Sequence, residues 1–497
     1  MFKNFPGYKL LEKIQKSNSH KRERKLPLNA IKLIFIVAIT SVIALLPTES
    51  FGIEGLTVVH QRIISLFVFA ALMWLTEAMP SWVTSMIVVT IMLLTVSTSA
   101  FNFLRPEDGA GLVPFKSIMA CFANPTIMLF IGGFVLAIGL TKVKLDVALA
   151  RVLLKPFGTR SEIVLLGFIL VTAIFSAFVS NTATAAMMLA FLTPVLKSLP
   201  ADGKGRIALA LAIPVGANLG GMITPIGTPP NMIALDYLSS QGLGISFVDW
   251  TIKMAPFVIV LLLLSWLLLR FLFPFKQKHI KIEIEGDIKW NRHTWSVVAA
   301  FAITIFMWMF GTDLWGVDTN VVAMIPIAIF CATGILTRRD LEEINWSVLW
   351  MVAGGFALGV ALNYKDASSV SLSSLIVNTV PFDNFSPLVV MILAGVICFG
   401  FSNFISHSAA TSLLVPVLGV VAGGLGSSLD SFGGPQAMLV GIAIASSVSM
   451  ILPISTPPNA IAHSTGFIEQ KDMMKVGIII GLMGLALGYA MLIFIGF

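Results

Sequence analysis

The fold is decided by a short polar stretch in an apolar region, Ser180-Asn181-Thr182-Ala183-Thr184. It lies between the apolar runs 163–179 and 185–196, and each run is shorter than the roughly 20 residues that a bilayer-spanning helix needs. Because the polar residues separate two runs that are too short to cross, we expect a helical hairpin that enters the membrane and returns. The stretch therefore predicts a re-entrant hairpin over residues 161–198 with a polar tip.

A second polar feature follows within the apolar segment 206–236. It reads Thr224-Pro225-Ile226-Gly227-Thr228-Pro229-Pro230-Asn231. Proline removes a backbone donor and clashes with the preceding turn, so this run breaks the helix that contains it. Broken backbone at membrane depth is tolerated only where it is buried in protein or lines a cavity. We therefore expect this run and the hairpin tip to form two sides of one binding site.

Composition predicts a polytopic membrane protein. Of the 497 residues, 57% are hydrophobic and 11% are charged, and the mean hydropathy is +0.93. Apolar runs recur along nearly the whole chain and predict an all-α protein with about 11 transmembrane helices and two re-entrant hairpins. The net charge of +7 does not indicate nucleic-acid binding, because Lys and Arg cluster in the loops between apolar runs. Cys121, Cys331 and Cys398 have neither disulfide nor metal-ligand spacing.

The distribution of charge predicts the orientation. With the N-terminus in the cytoplasm, most of the 32 Lys and Arg residues fall in cytoplasmic segments, as the positive-inside rule requires. The C-terminus is then extracellular and the expected location is the plasma membrane, with no cleaved signal peptide. The predicted organisation comprises a basic cytoplasmic N-terminus (1–28), a first span (29–47), a first repeat (48–273) with the hairpin 161–198, a cytoplasmic linker (274–293), and a second repeat (294–497) with a hairpin at 386–424.

Three motifs recur in the same order in the two halves. Their offsets are 222, 226 and 228 residues. The pairs are Gly132-Gly133-Phe134-Val135-Leu136 with Gly354-Gly355-Phe356-Ala357-Leu358, Ser180-Asn181-Thr182-Ala183 with Ser406-His407-Ser408-Ala409, and Thr224–Asn231 with Leu452-Pro453-Ile454-Ser455-Thr456-Pro457-Pro458-Asn459. An odd number of spans in each repeat inverts the second copy. Inverted repeats with paired broken helices are typical of secondary transporters, whose site lies where the repeats meet.

The motifs indicate anion binding. Each hairpin tip supplies hydroxyl and amide groups together with the N-terminus of a helix, which favours a carboxylate. Two tips suit a ligand with two carboxylates, and the carbonyl groups of the broken runs suit Na⁺. A Ser-Asn-Thr stretch alone is usually only an N-cap, but its inverted repetition favours a function. The Gly-Gly pairs are better explained by close helix packing.

Two chemistries are not expected from the sequence. The apolar spans contain almost no acids, with Glu77 as the main exception, so no proton relay through buried carboxylates is expected. Glu77 itself is interpreted as a structural cap. An intramembrane enzyme is not expected either, because Ser406 and His407 are neighbours that point in different directions and no orienting acid is near them.

Both hairpin tips, both proline-broken runs and the stretch Thr76-Glu77-Ala78-Met79-Pro80 resemble the divalent anion/Na⁺ symporter family of di- and tricarboxylate transporters, over roughly residues 30–497. The resemblance implies a homodimer in which a transport domain moves against a scaffold domain in an elevator motion. It implies that the substrate is bound by Ser180, Asn181, Thr182, Thr228, Pro229, Ser406, His407, Ser408, Thr456 and Pro457. It further implies a first Na⁺ site at Ser176, Ser180, Asn181 and Gly227, and a second at Ser402, Ser406, His407 and Ser455.

The second half departs from the family pattern at His407 and Ser408. Na⁺-coupled members of the family carry Asn and Thr there, whereas family members that exchange dicarboxylates without Na⁺ also carry histidine near this tip. An imidazole is a poor neighbour for Na⁺, but it can face a carboxylate. The sequence therefore predicts a Na⁺-independent exchanger of succinate-, malate-, fumarate- or 2-oxoglutarate-like dicarboxylates, in which the second Na⁺ site is lost and the first is retained. A Na⁺-coupled dicarboxylate symporter is the alternative, and an oxyanion or inorganic-ion transporter is a more distant one.

Overall fold

The computed structural model describes residues 26–107, 109–200, 203–280, 290–366 and 370–497, and every regular element in these ranges is a helix. This confirms the predicted all-α fold. Nine helices in the described ranges are long and apolar enough to cross a membrane. The predicted basic segment before residue 26 and most of the predicted linker, residues 281–289, lie outside the described residues.

In the part of the chain that the structure describes, each half forms eleven α-helices, besides short 3-10 helices. Those of the first half are α1 (Leu26–Leu45), α2 (Val58–Thr76), α3 (Ser81–Thr95), α4 (Phe115–Ala120), α5 (Pro125–Lys142), α6 (Leu145–Leu154), α7 (Ser161–Phe178), α8 (Asn181–Ser198), α9 (Gly205–Gly220), α10 (Pro229–Ser240) and α11 (Phe247–Leu272).

The second half also forms eleven helices, several of them short. They are α12 (Arg292–Trp315), α13 (Thr319–Val322), α14 (Met324–Ala332), α15 (Arg338–Glu342), α16 (Trp346–Asn363), α17 (Leu372–Thr379), α18 (Pro387–Phe404), α19 (His407–Leu425), α20 (Gly434–Ser447), α21 (Pro457–Ser464) and α22 (Gln470–Phe494).

Two helical hairpins and two interrupted helices follow the repeated motifs. Only two residues separate α7 from α8, and only two separate α18 from α19. The interrupted pairs are α9 with α10 and α20 with α21, and in both pairs the second helix begins with two prolines. Proline is tolerated in a first helical turn because its missing N–H has no partner there. These prolines therefore start the second helix of each pair, while the first helix has already ended at Gly220 or Ser447.

Packing places all helices except α6, α15 and α17 in two groups, which we name the central bundle and the frame. The central bundle consists of α7–α11 and α18–α22. In it α10 packs against α19 and α20 of the other half, and α21 packs against α8 and α9. The frame consists of α1–α5, α12–α14 and α16, with α3 against α16 and α5 against α13 and α14. Each interrupted helix thus ends beside the hairpin of the opposite repeat, which brings the two sets of motifs into one bundle.

Small residues allow the close contacts within this bundle. A methyl group added at Gly216 would lie 2.6 Å from the carbonyl oxygen of Ile169, so α9 lies almost directly on the backbone of α7. At Gly220 an added methyl group would collide with the backbone of Ala173. In a membrane, such contacts gain van der Waals energy that the hydrophobic effect cannot supply between helices.

Candidate functional site in the central bundle

The first hairpin tip is a capped helix N-terminus. Ser180 precedes α8, and its hydroxyl oxygen accepts a hydrogen bond of 3.3 Å from the backbone N–H of Ala183. Ser180, Asn181 and Thr182 are half-buried, so the tip is enclosed without being sealed. The other N–H groups of the first turn of α8 have no helical acceptor, and they give this end of the helix a partial positive charge.

Oxygen atoms from three segments meet just behind this tip. Ser176 Oγ lies 2.7 Å from Asn181 Oδ1 and 2.7 Å from the carbonyl oxygen of Ala217. Gly221 borders the same cluster, because a methyl group there would lie 2.5 Å from Asn181 Oδ1. The tip of the hairpin and the end of α9 therefore touch through atoms that can bind a cation or a hydrogen-bond donor.

The break between α9 and α10 is held by one asparagine. Asn231 Nδ2 donates to the carbonyl oxygens of Gly221 at 3.1 Å and Thr224 at 2.9 Å. Its Oδ1 is buried and has no hydrogen-bond partner among the protein atoms. Gly227 belongs to the same loop and approaches Gly221 so closely that a Cβ atom at position 227 would collide with the Gly221 carbonyl oxygen. A compact loop of oxygen acceptors results.

The oxygen atoms of this first half suit a small hard cation. They are hydroxyl, amide and carbonyl oxygens, the ligands that Na⁺ finds at unwound helices in transporters. The predicted ligands Ser176 and Asn181 are in contact with each other, and Ala217 adds a carbonyl that the sequence did not indicate. Ser180 and Gly227 lie in the adjoining tip and loop. The residues present therefore fit the cation.

The second hairpin tip repeats the cap but not the oxygen cluster. Ser406 Oγ accepts from the backbone N–H of Ala409 at 3.2 Å, as Ser180 does in the first half. Ser402 Oγ donates to Ser446 Oγ at 3.3 Å, and Ser455 Oγ donates to the carbonyl of Leu452 at 2.7 Å. The three predicted serines of the second cation site are thus occupied by partners within the protein.

His407 is the decisive difference between the halves. Its side chain is buried, and Nε2 lies 2.5 Å from the carbonyl oxygen of Ser449. Because a carbonyl oxygen can only accept, Nε2 carries the hydrogen and donates it. Ser449 matches Gly221 at the repeat offset of 228. The matching Gly221 carbonyl also has a protein donor, Asn231 Nδ2, so the halves differ in the tip side chain itself. Asn181 offers an amide oxygen there, whereas His407 offers a ring N–H and no oxygen, so the second tip fits a cation less well than the first.

A second asparagine joins the two halves. Asn218 Nδ2 lies 3.2 Å from Thr456 Oγ1 and 3.1 Å from Asn459 Oδ1 in the second break. Asn459 Nδ2 in turn donates to the carbonyl of Met450 at 2.9 Å and that of Leu452 at 3.1 Å. The first interrupted helix and the second break are therefore one hydrogen-bonded unit.

Sequence analysis missed these asparagines as functional residues. Asn231 and Asn459 end the two proline-broken runs at matching positions, so the repeat contained the signal for them. Asn218 lies before the first break, and its counterpart at the 228 offset is Ser446, so the repeat gives no signal for it.

The remaining predicted contact residues lie around the same two tips and breaks. Thr228 and Thr456 are buried, Thr182, Pro229 and Ser408 are half-buried, and Pro457 is exposed. Thr456 Oγ1 also caps α21 by accepting from the backbone N–H of Asn459 at 3.2 Å. Contact of these residues with a substrate stays a prediction.

The segments that form the tips and the breaks contain no acidic side chain and no Lys or Arg. A dianion at the tips would therefore meet no like charge there. The positive electrostatic potential at the tips and breaks comes from helix N-termini. The helices that begin there are α8, α10, α19 and α21.

Glu77 and Asp236 are acids that lie within the predicted apolar spans. Glu77 is exposed and ends α2 in a left-handed conformation with φ of 47°, as its interpretation as a cap requires. Asp236 lies within the interrupted span and its Oδ1 accepts a hydrogen bond of 2.8 Å from Thr126 Oγ1. Asp236 could not be singled out from the sequence, because its partner Thr126 lies on a distant helix.

Comparison with known proteins identifies the family. The family model described as citrate transporter matches residues 71–432, which is more than half of the chain. The chain belongs to the citrate transporter family. The family match confirms the resemblance to di- and tricarboxylate transporters that the motifs indicated. It also confirms that the protein is a multi-pass membrane transporter and not an enzyme.

Proteins with sequences similar to this chain have names that state different activities. An uncharacterized transporter of Haemophilus influenzae is 31% identical over 469 residues, which cover 91% of this chain and 94% of that protein. The sodium-dependent dicarboxylate transporter SdcS of Staphylococcus saprophyticus is 28% identical, covering 85% and 83%. The inorganic phosphate transporter PHO87 of Saccharomyces cerevisiae is 28% identical, covering 90% of this chain and 47% of its own length.

A solved structure supports the fold. The YdaH transporter of Alcanivorax borkumensis superposes with a TM-score of 0.54 over 88% of this chain and 99% of its own, at 13% sequence identity. At this level of identity, the structural similarity supports the fold of this chain and does not indicate its substrate.

Proposed function

We propose that the protein is a secondary active transporter that exchanges C4 and C5 dicarboxylates, such as succinate, malate, fumarate or 2-oxoglutarate, without Na⁺ coupling. The observation that carries the exchanger part is the hydrogen bond of 2.5 Å from His407 Nε2 to the carbonyl oxygen of Ser449. It places a hydrogen-bond donor at the tip position where the first half has the amide oxygen of Asn181, so this side chain offers a second cation no oxygen.

A dicarboxylate suits the tips on electrostatic grounds. Each tip presents a helix N-terminus and the serine hydroxyl group that caps it. The two tips belong to the two halves of one bundle. A carboxylate near a helix N-terminus gains up to about 1 kcal/mol at an exposed site and up to about 2 kcal/mol at a partly buried one. Two carboxylates on one ligand can use both tips at once, whereas a monocarboxylate can use only one.

The proposed mechanism is an elevator motion. The central bundle contains both tips and both breaks, and the frame packs around it through different helices. Movement of the central bundle as one body would carry the site across the membrane while the hydrogen bonds from Asn218 to the second break stay intact. We include in the proposal a homodimer in the plasma membrane, a cytoplasmic N-terminus and an extracellular C-terminus, with two inverted repeats at 48–273 and 294–497.

The test is uptake of labelled succinate by purified protein in liposomes. Vesicles are either empty or loaded with unlabelled dicarboxylate, and each set is measured with and without an inward Na⁺ gradient. We expect uptake only into loaded vesicles, at the same rate with and without Na⁺. Uptake into empty vesicles that requires the Na⁺ gradient would refute exchange and establish symport.

Na⁺-coupled dicarboxylate symport is the second candidate, because one observation favours it. The oxygen cluster of Ser176, Asn181 and Ala217 is of the kind that binds Na⁺, and the SdcS relatives are named as sodium-dependent, which supports this candidate. In that case Na⁺ at the first half would be bound together with the substrate. The liposome experiment separates the two candidates, and unlabelled phosphate added as a competitor tests the oxyanion chemistry that the name of PHO87 suggests.

A further inference from the structure

Asp236 connects the central bundle to the frame. It lies on α10, and its Oδ1 accepts a hydrogen bond of 2.8 Å from Thr126 Oγ1 on α5. The side chain of Asn124, the N-cap residue of α5, is hydrogen-bonded to the same carboxylate. The carboxylate thus lies at the N-terminus of an 18-residue helix, where unpaired backbone N–H groups favour a negative charge.

The next residue makes a second connection to the frame. The Tyr237 phenol is hydrogen-bonded to the side chain of Asn363, the last residue of α16. The Tyr237 ring also packs so closely on α19 that a Cβ atom at Gly419 would collide with it. Two adjacent residues of one short helix therefore reach two different frame helices, while the helix itself stays anchored in the central bundle.

The second repeat does not have these connections. At the repeat offset of 228, Asp236 and Tyr237 correspond to Ser464 and Thr465 at the end of α21. Ser464 Oγ donates to the carbonyl of Ile461 at 2.7 Å, and Thr465 Oγ1 donates to that of Ala462 at 2.6 Å. Both hydroxyl groups are thus bonded within their own helix turn. The inverted repeat can fold without a carboxylate at this position, so the contact of Asp236 is not a requirement of the architecture.

Few other charges act on Asp236. The Cys121 thiol beside α5 interacts with it electrostatically, and Tyr237 follows it on α10. Lys142 lies at the opposite end of α5, about 24 Å along the helix from Thr126. The other helices that pack closely on α10, namely α16, α19 and α20, contain no titratable side chain except His407. An ionised Asp236 is therefore stabilised mainly by Thr126, Asn124 and the N-terminus of α5.

We propose that Asp236 is a proton-binding site that controls the contact of α10 with Thr126 and Asn124, a contact that we name the clasp. The clasp holds the central bundle to the frame when the carboxylate is ionised, and it is released when the carboxylate takes up a proton from water. If α10 moves along α5, an ionised carboxylate loses its donors in a low-dielectric environment, which is unfavourable unless the group is neutral. Asp236 is partly exposed, so water can deliver and accept the proton. The proposal rests on the proposed elevator exchange, because it concerns the motion that this exchange needs.

The first test compares exchange rates of the wild type and Asp236→Asn between about pH 5 and about pH 8, a range across which carboxyls in folded proteins titrate. Asparagine is uncharged at every pH, so the variant should exchange faster than the wild type at high pH, by about tenfold, as expected when a charge-assisted hydrogen bond is removed. The ratio should approach one as the pH falls. Both proteins use the same substrate and contain His407. Protonation of the substrate and of His407 therefore affects both exchange rates equally and cancels in their ratio. A ratio that is constant with pH would overturn the proposal.

Two control variants keep this test specific. Thr126→Ser retains the hydroxyl donor, and its pH profile should match that of the wild type. Ser464→Ala changes the matching position of the second repeat, and its pH profile should also match. A pH profile that changes as much in Ser464→Ala as in Asp236→Asn would mean that the effect is general to the helix ends and would overturn the assignment.

The second test does not depend on the substrate. Hydrogen–deuterium exchange is measured in the first two turns of α5 and in the turn of α10 that contains Asp236, at about pH 5 and at about pH 8, with correction for the intrinsic exchange rate. In the wild type we expect protection to be greater at high pH by about tenfold, and in Asp236→Asn to be equal at both. Equal protection in both proteins would overturn the clasp. If the wild type exchanges no dicarboxylate but shows the pH-dependent protection, the proposed function fails and the clasp stands.

Discussion

The two half-sites have the same backbone design and different chemistry at one position. In the first half, Asn181 Oδ1 lies beside Ser176 Oγ and against Gly221, so that oxygens face one another. In the second half, His407 reaches the carbonyl oxygen of Ser449 with a donor. The two tips thus share a backbone design, while the side chain at one position changes from an oxygen acceptor to a ring N–H donor.

The neighbouring serines show the same difference. In the first half, Ser176 Oγ lies between an amide oxygen and the carbonyl of Ala217. In the second half, Ser402 Oγ donates to Ser446 Oγ, and Ser446 Oγ donates to the carbonyl of His407 at 3.0 Å. Both serines are thus hydrogen-bonded within the protein, but only the first half includes a side-chain amide oxygen, and the second half ends at the backbone carbonyl of His407.

The largest expected effect is loss of transport when either tip is truncated. Asn181→Ala removes the amide of the first half, and His407→Ala removes the donor to Ser449 in the second. Each should lower the exchange rate by about 100-fold or more, because a mispositioned binding group costs this much in rate. The measurement is succinate exchange in loaded liposomes. Thr90→Ala is the control, since Thr90 Oγ1 bonds only the carbonyl of Met86 on an exposed face. Near-normal rates in both tip variants would reduce the tips to helix caps.

A smaller effect should distinguish the two positions that face the tips. Gly221→Ala adds a methyl group 2.5 Å from Asn181 Oδ1, and such overpacking typically costs about 1–3 kcal/mol, so exchange should fall by tenfold or more. Ser449→Ala removes a hydroxyl that bonds the carbonyl groups of Phe399 and Ala445, but it leaves the carbonyl that His407 uses. We expect at most a few-fold loss there. Equal losses in the two variants would contradict the difference between the halves.

The smallest effect is expected from a substitution that makes the tip of the second half resemble that of the first. His407→Asn replaces the ring N–H with an amide that can turn its oxygen toward Ser402 and free the carbonyl of Ser449. Exchange by this variant should become stimulated by Na⁺ by a few-fold, while the wild type stays indifferent. The measurement is the exchange rate at constant ionic strength with Na⁺ replaced by choline. A variant that stays indifferent to Na⁺ would mean that His407 is not what excludes the cation.

Most of the architecture could be predicted because it is recorded in hydrophobicity and in repeated breakers. The short apolar runs around Ser180 predict a hairpin, and α7 and α8 are separated by only two residues. The prolines of the two broken runs predict interruptions, and α10 and α21 begin at these prolines. Such features follow from local sequence and from the requirement that backbone groups in a membrane are satisfied.

The details of the site could be predicted only in part, because they depend on contacts between distant segments. Nothing around Asn218 indicates that it joins Thr456 and Asn459, more than 200 residues away. The partner of His407 is likewise a backbone carbonyl, which no residue type reveals. Asp236 was overlooked for the same reason, since its significance comes from Thr126 on another helix. Spatial proximity of groups from different helices is decided by packing, and a pattern along the chain does not contain it.

The most direct test of the central difference is the rate of succinate exchange between loaded liposomes and a medium free of Na⁺. Our account predicts that this rate equals the rate in Na⁺ medium, because the second half satisfies its oxygens with His407 and does not wait for a cation. Exchange that stops when Na⁺ is removed and returns when it is restored would contradict the account. The intact oxygen cluster around Asn181 would then be the coupling site of a symporter.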